Sequence, residues 1–170
     1  MAAAELLFRT GTPGDADWLL RLFDGAVEWL VDRGQPGQWG FQPFSERAPA
    51  RARVAEWCAS GELRVASLDG ADVAALALGA RPPHVEPIDR SELYINLLLV
   101  SRAHAHRGIG EHLVDRARAE ARERGAELLR VDCWAGAPSL VAWYEARGFV
   151  RSARFTVHGD WTGQVFEMRP

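Results

Sequence analysis

An almost uninterrupted apolar run, LYINLLLV at positions 93–100, constrains the fold of this chain more than any other feature. A strand of this composition belongs in the centre of a sheet, with both of its faces buried. A turn-rich segment follows, and then a helical pattern in which apolar residues recur every four positions until Gly125 ends it. The next apolar run, ELLRVDCW at 127–134, predicts a second strand. Strand, helix and strand in this order predict a βαβ unit with parallel strands and a right-handed crossover.

The flanking segments extend this unit into an α/β domain. Helices are predicted where apolar residues recur with a helical period, and strands where short apolar runs lie between turn residues. The predicted elements are a strand at 6–10, a helix that Thr12 caps with Pro13 at its first position, a helix ending at Gly61, a hairpin turning at Asp69 and Gly70, a Pro-rich loop at 80–92, a helix over 138–148, and two strand-like runs at 154–158 and 164–168 joined around GDWTG.

Length and charge narrow the classes of protein that the chain can belong to. Its 170 residues fit one domain, and its net charge of -3 gives no basic excess for binding nucleic acid. Charged residues interrupt every apolar run before it reaches the length of a membrane span, and the N-terminus lacks the pattern of a signal peptide. Cys58 and Cys133 have no metal-like spacing, and two buried thiols are favoured over a disulfide. We therefore expect a cytoplasmic single domain over 1–170, without a nucleic-acid or membrane partner.

The segment HRGIG at 106–110, here called the glycine loop, links the predicted central strand to the following helix. The first N–H groups of a helix lack intrahelical acceptors and carry a partial positive charge, so phosphates bind there. Gly108 and Gly110 would let the main chain approach such a ligand, although two glycines also suit a tight turn. A Rossmann dinucleotide site is disfavoured, because His112 or Leu113 stands where its third glycine belongs.

Two blocks of this sequence, LLLVSRAHAHRGIGEHLVDRA and AGAPSLVAWYEARGF, resemble the GNAT superfamily of N-acetyltransferases. The family motif is Arg or Gln, two residues, Gly, one residue, then Gly or Ala after a buried strand, and residues 105–110 occupy it. Tyr144 and the pair Gly148-Phe149 match the second block. The chain departs from the family at Ala105, where Arg or Gln is usual, and at Ala137, where Asn is common.

The resemblance implies an α/β, single-domain GNAT-like fold. Its mixed central sheet would combine antiparallel N-terminal strands with a splayed parallel βαβ core, and helices would cover both faces. It also implies that acetyl-CoA serves as co-substrate and that a primary amine, on a small molecule or a peptide, attacks the thioester directly. The departures at Ala105 and Ala137 leave an alternative, a non-catalytic protein of the same fold that binds or senses acyl-CoA. Relatives are commonly dimers, so a homodimer is also open.

The resemblance further implies which part of the chain holds the cofactor. Backbone N–H groups from the glycine loop would bind the pyrophosphate, and Arg107 would add a charge. The pantetheine arm would pair with the main chain of the central strand, and an N–H near Leu98 or Leu99 would polarise the acetyl carbonyl. The implied cofactor-binding residues are Leu98, Leu99, Val100, Ala105, His106, Arg107, Gly108, Ile109, Gly110 and Glu111.

Catalysis in such an enzyme needs a proton donor for the departing thiolate and a proton acceptor for the amine. The resemblance implies Tyr144 as the general acid, whereas the residue types alone favour core packing of the Trp143-Tyr144 pair. Glu92 and Asp132 are the candidate bases, because each lies near the end of a predicted central strand. Asp132 has a plain alternative as a solvated or Arg-paired carboxylate.

Aromatic residues and histidines form two further clusters in the sequence. Trp29, Trp39, Phe41 and Phe44 lie between the first two helices, in the region that forms the acceptor wall in the family, and they equally suit a cap on the core. His104, His106 and His112 crowd the glycine loop, but no acidic or thiol ligand accompanies them, so we expect no metal.

Overall fold

The computed structural model describes residues 5–170 and confirms a mixed α/β sheet. Seven strands follow the order β1-β2-β3-β4-β5-β7-β6 across the sheet. The strands are β1 (Leu7–Thr10), β2 (Leu63–Leu68), β3 (Ala71–Gly79), β4 (Glu92–Val100), β5 (Leu128–Trp134), β6 (Val150–Val157) and β7 (Trp161–Met168). The helices are α1 (Ala16–Asp32), α2 (Ala48–Ser60), α3 (Ile109–Glu123) and α4 (Pro138–Glu145).

The chain divides into two compact units. The first unit comprises the described residues through Ala77 together with Leu97–Leu113. The second unit comprises Leu78–Asn96 and Val114–Pro170. The glycine loop therefore belongs to the first unit, and Tyr144 and both candidate bases belong to the second.

The first unit contains the predicted hairpin, and its turn has the predicted chemistry. Asp69 and Gly70 have φ of 51° and 81°, a left-handed pair that the Asp-Gly sequence favours between two antiparallel strands. The apolar faces of α1 and α2 pack in one core with β2 and the adjacent ends of β3 and β4. This core includes Leu19, Phe23, Ala26, Val54, Trp57, Leu63, Val65, Ala75, Leu97 and Leu99.

The start of the first helix differs in detail from the prediction. Pro13–Asp15 form a 3₁₀ turn, and α1 begins only at Ala16. The Asp15 carboxylate accepts a hydrogen bond of 2.7 Å from the Thr12 N–H and forms a 2.7 Å ion pair with Arg9. The Arg9 hydrogen bond lowers the pKa of Asp15 to about 2, because it stabilises the charged carboxylate. Thr12 thus lies at the helix entry as predicted, and Asp15 anchors the tighter first turn.

The second unit confirms the parallel strands of the βαβ prediction. β4 and β5 pair in parallel from Glu92↔Leu128 to Ile95↔Val131. β5 pairs antiparallel with β7, and β7 with β6. The last two strands are longer than predicted. A short turn, with His158 at φ 55° and Gly159 at φ 85°, reverses the chain, so fewer residues than predicted lie between the two strands. Residues 161–163 of the GDWTG segment therefore belong to β7.

Two further predictions concern the cysteines and the membrane. Cys58 and Cys133 are both buried free thiols, as predicted. Burial raises the pKa of Cys133 to about 12, so this thiol is protonated and inert at neutral pH. Across residues 5–170, none of the helices combines the length and the apolar character that crossing a bilayer requires.

Candidate active site

The glycine loop is an exposed turn of the first unit. After β4, residues Arg102–His104 make a 3₁₀ turn, and the first backbone bond into α3 runs from the His112 N–H to the Gly108 carbonyl at 3.3 Å. His106 and Gly108 have φ of 61° and 75°, so two left-handed residues flank Arg107. Such turns direct successive N–H groups to one side and create an anion-binding nest.

The exposed main chain of this loop fits the pyrophosphate of acetyl-CoA. A Cβ built on Gly108 would have no atom within 4 Å, so the space above the loop is open. The amides of Ile109 and Gly110 stand in the first turn of α3 and lack intrahelical acceptors. His106, Arg107 and Gly108 are exposed, which leaves their backbone accessible to a ligand. Ala105 contributes no polar side chain, so the residues present favour binding through the main chain.

The central strand β4 changes character halfway along its length. Leu93, Tyr94 and Ile95 are all buried, as the apolar run predicts, but Asn96 and Leu98 are partly exposed. The parallel pairing of β4 with β5 in the second unit ends at Ile95, before Asn96. Of the residues predicted to meet the pantetheine arm, Leu98 and Val100 are partly exposed and Leu99 is buried.

Tyr144 lies on α4 in an aromatic pocket of the second unit. It is 5% exposed, and its ring contacts Trp143, Phe149 and Phe166 with centroid distances of 5.0 Å, 5.6 Å and 5.4 Å. Among residues 5–170 its hydroxyl has no hydrogen-bond partner. Burial raises the pKa of Tyr144, and the neighbouring Cys133 and Asp132 raise it further. The phenol therefore stays protonated at neutral pH, as a proton donor must.

Asp132, one of the two candidate bases, is held by a tyrosine that sequence reasoning missed. The hydroxyl of Tyr94 donates a 2.6 Å hydrogen bond to Asp132 Oδ2. Burial raises the pKa of Asp132, although the Tyr94 hydrogen bond and the nearby His84 oppose this shift. A carboxylate with a raised pKa is a stronger proton acceptor. The sequence feature that could have indicated this contact is Tyr94 itself, the one residue with a hydroxyl group in the apolar run at 93–100.

Glu92, the other candidate base, is part of a buried ion pair. Arg130 Nη1 donates to Glu92 Oε2 at 2.7 Å, and the Arg130 side chain is 1% exposed. Arg81 Nε lies 3.6 Å from the second Glu92 oxygen. Two guanidinium groups therefore lie against the two oxygens of this carboxylate. The arginine pairing that the sequence leaves open for Asp132 is found at Glu92 instead. Asp132 accepts a hydrogen bond from Tyr94.

The four aromatic residues predicted for the acceptor wall have three different environments in the first unit. Phe44 stacks on Phe23 at 4.3 Å and Trp39 lies 5.4 Å from the same ring, so both pack against the core. Phe41 is 73% exposed. The Trp29 ring carries the guanidinium of Arg102 at 3.6 Å. The capping alternative therefore describes Trp39 and Phe44 well, and Phe41 is the exposed ring of the four.

The three histidines near the glycine loop do not form a cluster of ligands. His104 Nδ1 lies 3.3 Å from the Ser101 hydroxyl, while His106 and His112 are exposed. Throughout the part of the chain that the structure describes, no three His, Cys, Asp or Glu side chains are arranged to hold a metal ion.

Several solved structures share this fold. The GCN5-related N-acetyltransferase of Rhodopseudomonas palustris is 23% identical with a TM-score of 0.71, and the match covers 100% of this chain and 99% of that one. An acetyltransferase of the GNAT family from Listeria monocytogenes is 18% identical with a TM-score of 0.69 and 99% coverage of both chains. The yncA protein of Salmonella typhimurium, solved with its cofactor acetyl-CoA, is 16% identical with a TM-score of 0.66, covering 96% of this chain and 93% of that one.

Sequence comparison identifies the family directly. No curated protein matches this chain closely enough to serve as a relative. The sequence model of the Acetyltransferase (GNAT) family, however, matches residues 25–149. That segment contains the glycine loop, both candidate bases and Tyr144. With this match over most of its length, the chain belongs to the GNAT family of acetyltransferases, which use acetyl-CoA.

Proposed function

We propose that this protein transfers the acetyl group of acetyl-CoA to a primary amine, on a small molecule or a peptide, by direct attack of the amine on the thioester. The exposed, left-handed backbone at residues 106–108, inside the segment that matches the family, is the observation that carries this proposal. Acetyl-CoA, when bound, supplies a thioester carbonyl that the amine can attack. The remaining steps belong to the residues of this chain.

The main chain holds the cofactor in this proposal. Amides of His106 to Glu111 bind the pyrophosphate, and the Arg107 guanidinium adds a charge at the exposed side of the loop. The main chain of Leu98, Leu99 and Val100 pairs with the pantetheine arm, since the partly exposed end of β4 leaves an edge for it. An N–H of this edge stabilises the negative charge that develops on the carbonyl oxygen.

Two side chains of the second unit move protons in this proposal. Tyr144 donates its phenolic proton to the departing thiolate, for which its raised pKa keeps it protonated. Asp132 accepts a proton from the ammonium group of the acceptor, which leaves the neutral amine free to attack, and Tyr94 positions the Asp132 carboxylate. We prefer Asp132 over Glu92, because Glu92 already compensates the buried charge of Arg130.

The choice between the two bases makes a prediction about pH dependence. The carboxylate must be ionised to accept a proton, and burial raises the pKa of Asp132, so kcat/KM should fall as the pH decreases through this raised value. Asp132→Asn should remove this acidic limb from the profile. Glu92→Gln, the matched control, should keep it. A profile that Asp132→Asn leaves unchanged and Glu92→Gln flattens would assign the base to Glu92.

The proposed function is tested by incubating the protein with acetyl-CoA and a panel of primary amines. Release of the CoA thiol is followed, and products are identified by mass. We expect stoichiometric thiol release and acetyl addition with at least one amine class. Binding of acetyl-CoA by calorimetry, without thiol release from any amine, would instead support the non-catalytic acyl-CoA-binding alternative.

The acceptor surface, the domain count, the cellular location and the oligomeric state stay predictions. Phe41 offers exposed aromatic surface to an acceptor, which suits an apolar amine or a cation over a ring, whereas Arg102 already lies over the ring of Trp29. We also retain a single domain over 1–170 and a cytoplasmic location. A homodimer is open, and its test is the mass of the protein in solution.

A further inference from the structure

Two arginines from different elements of the first unit meet at one indole ring. The guanidinium carbon of Arg102 lies 3.6 Å from the centroid of the Trp29 ring, and that of Arg33 lies 4.4 Å from it. Trp29 and Arg33 are four residues apart on and just after α1, whereas Arg102 opens the turn that follows β4. The two guanidinium carbons are therefore no more than about 8 Å apart, a span that one phosphate group can bridge with charge-assisted hydrogen bonds to both.

Neither arginine has a carboxylate partner among residues 5–170. Arg53, by contrast, lies over Trp57 at 5.1 Å and pairs with Glu56 at 3.0 Å. The nearest acidic residues along α1, Glu28 and Asp32, form no ion pair with this cluster. Two cations thus face one ring with no anion of the protein between them.

The electrostatic surroundings reinforce this excess of positive charge. Burial lowers the pKa of Arg102, and the nearby charge of Arg33 lowers it further. From Ser101 to Gly110 the chain contains Arg102, His104, His106 and Arg107 and no acidic residue. Both arginines are exposed, so a ligand from solution can reach them. A dianion would relieve the repulsion that the protein itself leaves uncompensated.

We propose that Trp29, Arg33 and Arg102, here called the arginine–tryptophan cluster, form a binding site for a phosphate group. The planar guanidinium groups supply paired N–H donors for phosphate oxygens, and the indole holds both planes in place. Two sources of this phosphate share the same chemistry. The first source is the 3′-phosphate of CoA, and this assignment rests on the proposed use of acetyl-CoA. The second source is a phosphate group on the amine acceptor, which is the other substrate of the proposed reaction.

The site is tested first with inorganic phosphate as the probe. The indole N–H signal of Trp29, assigned by its loss in Trp29→Phe, is followed by NMR during a phosphate titration at constant ionic strength. We expect a saturable shift in the wild-type protein and an affinity weaker by about tenfold or more in Arg102→Gln and in Arg33→Gln. Arg53→Gln is the matched control, since it also removes an arginine from an indole, and it should leave the titration unchanged.

Calorimetry with CoA and 3′-dephospho-CoA then identifies the source. If the cofactor supplies the phosphate, wild type binds CoA about tenfold more tightly than 3′-dephospho-CoA, and Arg102→Gln removes this preference. If the acceptor supplies it, Arg102→Gln binds both compounds as wild type does but still loses the phosphate-dependent shift. The proposal is overturned if phosphate does not shift Trp29 saturably, or if Arg53→Gln weakens the titration as much as Arg102→Gln. Because the phosphate titration needs no acetyl-CoA, it reports on the cluster even if the proposed activity fails.

Discussion

Gly108→Ala is expected to weaken the binding of acetyl-CoA by about 100-fold while the protein stays folded. At φ 75° a residue with a Cβ is strained by about 1–2 kcal/mol, and the loop relieves this strain by rotating its amides. Each charge-assisted hydrogen bond to the pyrophosphate contributes about 1.5–3 kcal/mol, so losing one or two of them accounts for the expected loss. The added methyl group would also point into the open space above the loop. Calorimetry with acetyl-CoA measures the change.

The other end of the same helix offers a matched control for this substitution. Gly125 follows α3 with φ 68°, and a Cβ there also has no atom within 4 Å. Gly125→Ala should therefore lower the free energy of unfolding by about the same 1–2 kcal/mol, yet leave acetyl-CoA binding unchanged. Equal losses of binding in both variants would mean that general destabilisation, and not the loop, explains the effect.

The glycine loop could be predicted from the sequence because its chemistry is local. A glycine between a strand and a helix indicates a left-handed backbone, and Gly108 has one. The same reasoning could not predict that His106 is left-handed, since a residue with a side chain seldom adopts φ 61°. His106 stands two residues before Gly108, and only the packing of the whole loop determines its conformation.

The sequence could not predict which side chains of neighbouring strands contact each other. Tyr94 meets Asp132, and Glu92 meets Arg130, because β4 and β5 pair with Glu92 opposite Leu128. The order strand, helix and strand predicts that the two strands are parallel, but it does not fix their register. Arg130 also looks like a solvent-exposed position in the run LLRVDCW, whereas its ion pair allows it to be buried.

The aromatic segment between the first two helices shows the same limit. Its turn-rich sequence has no period from which the buried side could be deduced. Packing against Phe23 separates Trp39 and Phe44, which belong to the core, from Phe41, which is exposed. The sequence indicates that aromatic residues cluster in this segment, but only the tertiary packing determines which of their rings are exposed.

Tyr144→Phe is expected to lower kcat by about 10²- to 10⁴-fold, the usual contribution of a general acid, without weakening acetyl-CoA binding. The protein should remain as stable as wild type. The Tyr144 hydroxyl has no partner among the described residues, so its removal leaves no polar group unsatisfied. Thiol release at saturating substrates measures kcat, and thermal unfolding measures stability.

Tyr94→Phe is the matched control, because it removes the second phenolic hydroxyl of the chain from an equally buried ring. This hydroxyl does have a partner, and losing its 2.6 Å bond to Asp132 should lower the free energy of unfolding by about 1–3 kcal/mol. The two variants should thus differ in stability: Tyr144→Phe keeps it, whereas Tyr94→Phe loses it together with the positioning of the Asp132 carboxylate. A Tyr144→Phe variant that retains kcat within about twofold of wild type would exclude Tyr144 as the proton donor, since a tyrosine that only packs in the core does not need its hydroxyl.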